Sequence, residues 1–210
     1  AQEGRKIAGI VITSPDNPTG RTIPVEEQIL LAKTALEADI AFVLFDWIYH
    51  WVTDSGPTDI NQVLLAFTPE ERKRLIFLDG ITKSLGGSNV RSAHLLASDD
   101  VVTYIVSQAS HGVVPSFFAQ AVAIAAYQQG FGEAAKSIIE PTSASRKVLR
   151  TALEQTDLPF VLGDGYYAFI NVARYIEAGG YENASEGLGG YLAQDYGVAV
   201  VPGAYFSPAG

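Results

Sequence analysis

The chain has 210 residues, 48 % of them hydrophobic and 18 % charged, with a net charge of −9. This is the balance of a globular protein with a sizeable core, not of a disordered tail, and it lacks the basic stripe of a nucleic-acid-binding surface. Without cysteine, disulfides and thiolate metal sites are excluded. No apolar run approaches the roughly 18 residues of a membrane span, and no charged-then-apolar leader opens the chain. A soluble, cytoplasmic protein is expected. The chain opens at Ala1 and contains no methionine, as a fragment of a longer protein would.

Residues 7–14 form a short β-branched run that Pro15-Asp16-Asn17-Pro18-Thr19-Gly20 ends, the pattern of a buried strand and a turn. Pro24 with Glu26 and Glu27 opens a helix that should end near Asp39. Residues 41–45 make a second strand with Asp46 at its end. Pro69-Glu70-Glu71 starts another helix, and residues 75–78 make a third strand leading into Asp79-Gly80. A polar loop, 82–92, precedes a fourth strand at 94–97. Helices are expected at 101–110, 116–129 and 133–154. Leu158-Pro159 marks a boundary, followed by a strand at 166–172, a helix at 183–194 and a strand at 198–201.

Short strands alternating with amphipathic helices predict an α/β fold with a mostly parallel, doubly wound sheet. A smaller α+β segment should follow. Residues 1–155 would be part of a large domain including the long helix, and 156–210 part of a small one. Ligands of such sheets bind at the carboxyl ends of the strands. Asn17, Asp46 and Lys83 all stand just beyond such ends.

Lys83 lies in a glycine-bearing loop after a buried strand, where an amine can act as a nucleophile. Arg91, eight residues on, has the fork to hold a phosphate together with the Thr82 hydroxyl. The plain alternative is a solvated loop with two unrelated cations. Asp46 can pair with a cationic ring nitrogen and Tyr49 can donate to a ring oxygen; a helix cap and a packed ring serve equally well. Asn17 can donate to the same oxygen as Tyr49, or merely shape a turn. His50, His94 and His111 lack metal-ligand spacing and suit ordinary structural roles. Trp47 and Trp51 suit core or interface packing. Gly86-Gly87 is too little for a nucleotide fingerprint.

Together, Asn17-Pro18-Thr19-Gly20, Asp46-Trp47-Ile48-Tyr49, Thr82-Lys83 and Arg91 resemble, in order and spacing, the class I/II aminotransferases of the pyridoxal-phosphate fold-type I, aspartate aminotransferase-like family. The resemblance extends through Gly165-Tyr166-Tyr167-Ala168-Phe169 to 198–203 with Phe206 and Gly210. Asn89 stands where the family has glycine, and Asp79-Gly80-Ile81 departs from the usual Ser-Phe lead-in to the lysine. The family's N-terminal phosphate loop and stacking aromatic residue, and its C-terminal arginine for the substrate carboxylate, have no counterpart in this chain.

The resemblance implies a pyridoxal 5'-phosphate enzyme that moves an amino group between an amino acid and a 2-oxo acid. Lys83 would form the aldimine and shuttle the proton. Asp46 would face the pyridine nitrogen, Tyr49 and Asn17 the ring oxygen, and Thr82 and Arg91 the phosphate. Catalytic roles thus fall to Lys83, Asp46 and Tyr49. A homodimer is implied, with no nucleic-acid or membrane partner for this segment. Alternatives on the same scaffold are a carbon–sulfur lyase and the aminotransferase-like domain of a DNA-binding transcriptional regulator. A further alternative is that this chain is an inactive fragment.

Overall fold

The computed structural model describes residues 6–109, 116–181 and 184–207. Ala1, His111 and Gly210, and positions 110 and 183 at the ends of two expected helices, lie outside them. The first strands are β1 (Gly9–Thr13), β2 (Phe42–Asp46), β3 (Leu75–Gly80) and β4 (Ala93–Leu96). They form one sheet in the order β1-β2-β3-β4. The first three are parallel, with Phe45 opposite Phe77 and Asp46 opposite Leu78. β4 runs antiparallel at the edge, with His94 opposite Asp79. This is an α/β fold with a mostly parallel mixed sheet.

The core lies on one face of that sheet. Ile12, Val43, Phe45, Leu75 and Phe77 point into it from alternate positions of their strands, as the two-residue period of a strand requires. Helix α1 (Val25–Glu37) covers them with Ala32, Ala35 and Leu36, and α2 (Ile60–Leu65) with Val63. Phe45 stacks on Phe77 at 5.0 Å between ring centroids. Gln28, also buried, is satisfied: it accepts from Trp47 Nε1 at 3.0 Å and donates to the Ile23 carbonyl at 2.7 Å. Trp47 is therefore a core residue, as expected.

The helix expected from Pro69 is a single turn, α3 (Pro69–Arg72). Thr68 and Glu71 cap it reciprocally: Thr68 N–H donates to Glu71 at 2.7 Å and Glu71 N–H to Thr68 Oγ1 at 3.3 Å, the capping-box arrangement. The loop expected at 82–92 begins instead with a short helix, α4 (Ile81–Ser84). Next come α5 (Asp99–Gln108), α6 (Phe117–Gln129) and the long α7 (Phe131–Glu154). A second cluster of Ile81, Ala126, Phe131 and Ala135 joins α4, α6 and α7, with Trp51 packed against it.

Beyond α7, β5 (Phe160–Leu162) and β6 (Ala168–Ile170) form a two-stranded antiparallel sheet. They are followed by α8 (Ala173–Gly179) and α9 (Ser185–Tyr196). The strand expected at 198–201 does not form. Val198, Val200 and Val201 are 48–67 % exposed, and the second sheet consists of β5 and β6 alone. β-branched residues favour extended backbone, but a strand needs a partner to satisfy its ladder. Among the described residues, no helix is long and apolar enough to cross a membrane.

Candidate active site

Because β1, β2 and β3 are parallel, the loops after them open on one edge of the sheet. The loop after β1 is closed by its own backbone: Gly20 N–H donates to the Asp16 carbonyl at 2.9 Å and Asp16 N–H to the Arg21 carbonyl at 2.8 Å. The Thr19 hydroxyl also donates to the Asp16 carboxylate. This presents Asn17 at the rim, close enough to Tyr49 for its side chain to favour the ionised phenol and oppose part of the upward push on it.

Asp46 is the last residue of β2, half-buried, and its Oδ1 accepts the Ile48 N–H at 3.2 Å. Burial pushes its carboxyl above the ordinary value; the Ile48 bond opposes this, and the Asp79 charge adds to it. Tyr49, three residues on, is buried. Its hydroxyl lies 3.1 Å from the Tyr167 hydroxyl. Burial, followed by the bond to Tyr167, raises the phenol well above its usual range, so Tyr49 keeps its proton as a donor.

Lys83 sits in α4, half-buried, with Nζ 5.5 Å from the centre of the Tyr49 ring, a cation–π distance. The Tyr166 hydroxyl donates to the Lys83 carbonyl at 2.6 Å and braces the turn. Thr82 precedes it and is half-buried. Arg91 is exposed, with a left-handed backbone at φ 55°. Its guanidinium closes its own loop by donating to the Ser88 carbonyl at 3.0 Å.

Contacts thus bring Asn17, Tyr49 and Lys83 together, with Asp46 at the strand end below them. Thr82 and Arg91 flank the lysine in sequence, and Arg91 is turned to its own loop. Tyr166 and Tyr167, expected in a strand and in the family-like segment 165–169 but not as site residues, border the candidate site. Their place is set by close backbone contact: Gly165 N–H donates to the Gly20 carbonyl at 3.1 Å, and a Cβ on Gly20 would lie 2.0 Å from the Tyr167 oxygen. With φ +70° besides, only glycine serves there.

Among the described residues, both histidines have partners elsewhere: His50 with Asp79, and His94 with the Tyr127 hydroxyl at 3.2 Å. Among the described residues, no three His, Cys, Asp or Glu side chains stand together to hold a metal ion. What the candidate site offers is one amine, one half-buried carboxylate, and a phenol with an amide beside it. That donor set suits an aldehyde-bearing aromatic cation such as pyridoxal phosphate. The amine would hold the carbonyl carbon, the carboxylate would pair with a ring N–H⁺, and the two donors would serve a ring oxygen.

The family model for aminotransferase class I and II matches residues 1–209. An aspartate aminotransferase of Bacillus subtilis is 28 % identical over 204 residues, covering 96 % of this chain and 51 % of that protein. An aromatic-amino-acid aminotransferase of Thermococcus litoralis is 26 % identical, covering 98 % of this chain and 51 % of its own. The solved aromatic aminotransferase of Pyrococcus horikoshii superposes with a TM-score of 0.79 at 23 % identity, covering 96 % of this chain and 52 % of that one. The chain therefore spans about half the length of the curated relatives it matches. It belongs to the class I and II aminotransferase family.

Proposed function

We propose that the protein containing this chain is a pyridoxal-phosphate-dependent aminotransferase that moves an amino group from an amino acid to a 2-oxo acid, with Lys83 as its catalytic amine. The observation that carries this reading is the joining of Asn17, Tyr49 and Lys83 beside Asp46, in a family whose named relatives here are aminotransferases.

The bound cofactor supplies an electron sink for the carbanion formed at the substrate α-carbon. The Lys83 amine would hold the cofactor, and as a free amine it would take the substrate α-proton and return it as general base and acid. Asp46 would face the ring nitrogen and keep it protonated. The Tyr49 hydroxyl and the Asn17 amide would donate to the ring oxygen. Thr82 and Arg91 would hold the phosphate.

The same reading takes residues 1–155 as part of a large domain and 156–210 as part of a small one, supported by their separate sheets. It takes the protein as a cytoplasmic homodimer. Exposed Tyr104 and Val106 on α5 and Phe117 and Phe118 on α6, 65–90 % accessible, are the kind of surface a subunit interface covers.

Product analysis tests the activity. The reading requires that amino acid turnover depend on added 2-oxo acid and vanish in Lys83→Ala. Pyruvate and ammonia released from a single substrate would mean elimination, and full turnover in Lys83→Ala would exclude the mechanism.

A further inference from the structure

The Asp79 carboxylate is buried and meets three donors. Its Oδ1 accepts the Gly80 N–H at 2.6 Å, and its Oδ2 accepts from Trp51 Nε1 and His50 Nε2, both at 2.9 Å. A carboxylate removed from water is costly unless such donors replace the water. Here they do, and they come from two loops. Gly80 opens the turn that carries Lys83, while His50 and Trp51 directly follow Tyr49. One carboxylate therefore joins the loop bearing Asp46 and Tyr49 to the loop bearing Lys83.

The surroundings leave this junction little play. The Trp47 ring stacks on His50 at 5.3 Å, and Trp51 packs on Phe131 at 4.5 Å. A Cβ on Gly80 would lie 3.1 Å from Ile48 Cδ1 and 3.1 Å from Ala93 Cα. The backbone below Lys83 is thus held between the Asp46 loop and β4. His50 Nδ1 is buried without a hydrogen-bond partner. With Nε2–H donating to Asp79, a neutral ring leaves one bare acceptor. A charged ring would leave a buried N–H with no acceptor, so the neutral tautomer fits the contact better.

We infer that Asp79 is a positioning residue for the aminotransferase reaction: its carboxylate, held by His50 and Trp51, sets how the loop of Asp46 and Tyr49 faces the loop of Lys83. This rests on the function proposed above. Asparagine has the shape of Asp79 but cannot accept on both sides. One face of its amide would set N–H against N–H, either at Gly80 or at the His50–Trp51 pair.

The test compares Asp79→Asn, Trp51→Phe and the remote core variant Val63→Ala in thermal unfolding and in pyridoxal phosphate titration. Titration is read by the visible band and by borohydride trapping with peptide mapping. In Asp79→Asn, affinity at Lys83 should fall roughly tenfold or more and the band maximum should move. Trp51→Phe, which keeps a ring against Phe131, should lose affinity in the same direction, about threefold. Val63→Ala should lower the melting temperature while affinity and band stay unchanged in the folded protein. Wild-type affinity and band in folded Asp79→Asn would overturn the inference. Should Asp79→Asn fail to fold, wild-type affinity in Trp51→Phe overturns it instead. If Val63→Ala loses affinity in step with its stability as the others do, Asp79 is only a structural knot. All three variants are made in the full-length protein that contains this chain, and an unmodified Lys83 in its wild type would overturn the functional reading, and this inference with it.

Discussion

The hydroxyls of Tyr49 and Tyr167 lie 3.1 Å apart across 118 residues of chain. This contact joins the loop after β2 to the segment before β6, and with Tyr166 on the Lys83 carbonyl it encloses the candidate site with residues from both parts of the chain. Tyr49→Phe keeps the ring under Lys83 and removes the hydrogen bonds. Pyridoxal phosphate affinity should fall about tenfold, measured by absorbance titration.

The same phenol makes an alkaline prediction. Its folded-state pKa is raised above 10.0, by burial and then by Tyr167. The associated stability is fully present below the unfolded value and is lost as pH rises through the folded one. Denaturant unfolding followed between pH 8 and 11 should therefore show a flatter alkaline decline in Tyr49→Phe than in the wild type. Equal slopes would mean that Tyr49 does not carry the effect.

Asp46 is raised as well, by burial first. For a carboxylate this means stability present below the unfolded value, 3.8, and lost as pH rises through the folded value, so at neutral pH the ionised group weighs against the fold. Asp46→Asn should make the ligand-free chain more stable at pH 7 by denaturant unfolding, and cut turnover of the cofactor-loaded protein by roughly a hundredfold or more. A variant less stable than the wild type would contradict the assignment of burial as the cause.

The two parts of the chain are locked at Gly20 and at Arg146. Gly20→Ala would place a methyl group 2.0 Å from the Tyr167 oxygen at φ +70°. It should cost roughly 2–4 kcal/mol of unfolding free energy and loosen the Tyr49–Tyr167 contact, seen as lower cofactor affinity.

Arg146 on α7 is buried and donates to the Gly165 carbonyl at 3.2 Å, the Val52 carbonyl at 3.1 Å and Asp54 at 2.8 Å. Arg146→Met leaves two carbonyls short of donors and should cost roughly 2–3 kcal/mol, discounted because Asp54 is 43 % exposed. Chemical denaturation measures it. Asp54, held below its ordinary value by Ser143 first and also by Arg146, contributes stability above pH 3.8 that fades as pH falls. Asp54→Asn should therefore flatten the acid limb.

The parallel sheet was legible because β-branched runs of strand length alternate with helix starts marked by proline and glutamate. Asn17, Asp46 and Lys83 each stand at a strand's carboxyl end, but it is the order and spacing of their motifs together, as the family resemblance groups them, that makes them candidates. The short elements α2, α8 and β5 carry too few turns or alternations to leave a period. The valines at 198–201 have strand composition, yet composition cannot supply a pairing partner. Tyr166 and Tyr167 reach the site only through backbone contact at Gly20, which no local pattern encodes. Asp79 looks in sequence like a mere departure before the lysine; its meaning appears once His50 and Trp51 are folded onto it.

The most direct test of the central claim is to add pyridoxal phosphate to the purified full-length protein that contains this chain, reduce with borohydride and map the modified peptide. A visible absorbance band and modification at Lys83 are expected in the wild type, with both lost in Lys83→Ala. A band that survives in Lys83→Ala, or modification at another lysine such as Lys33 or Lys136, would contradict it.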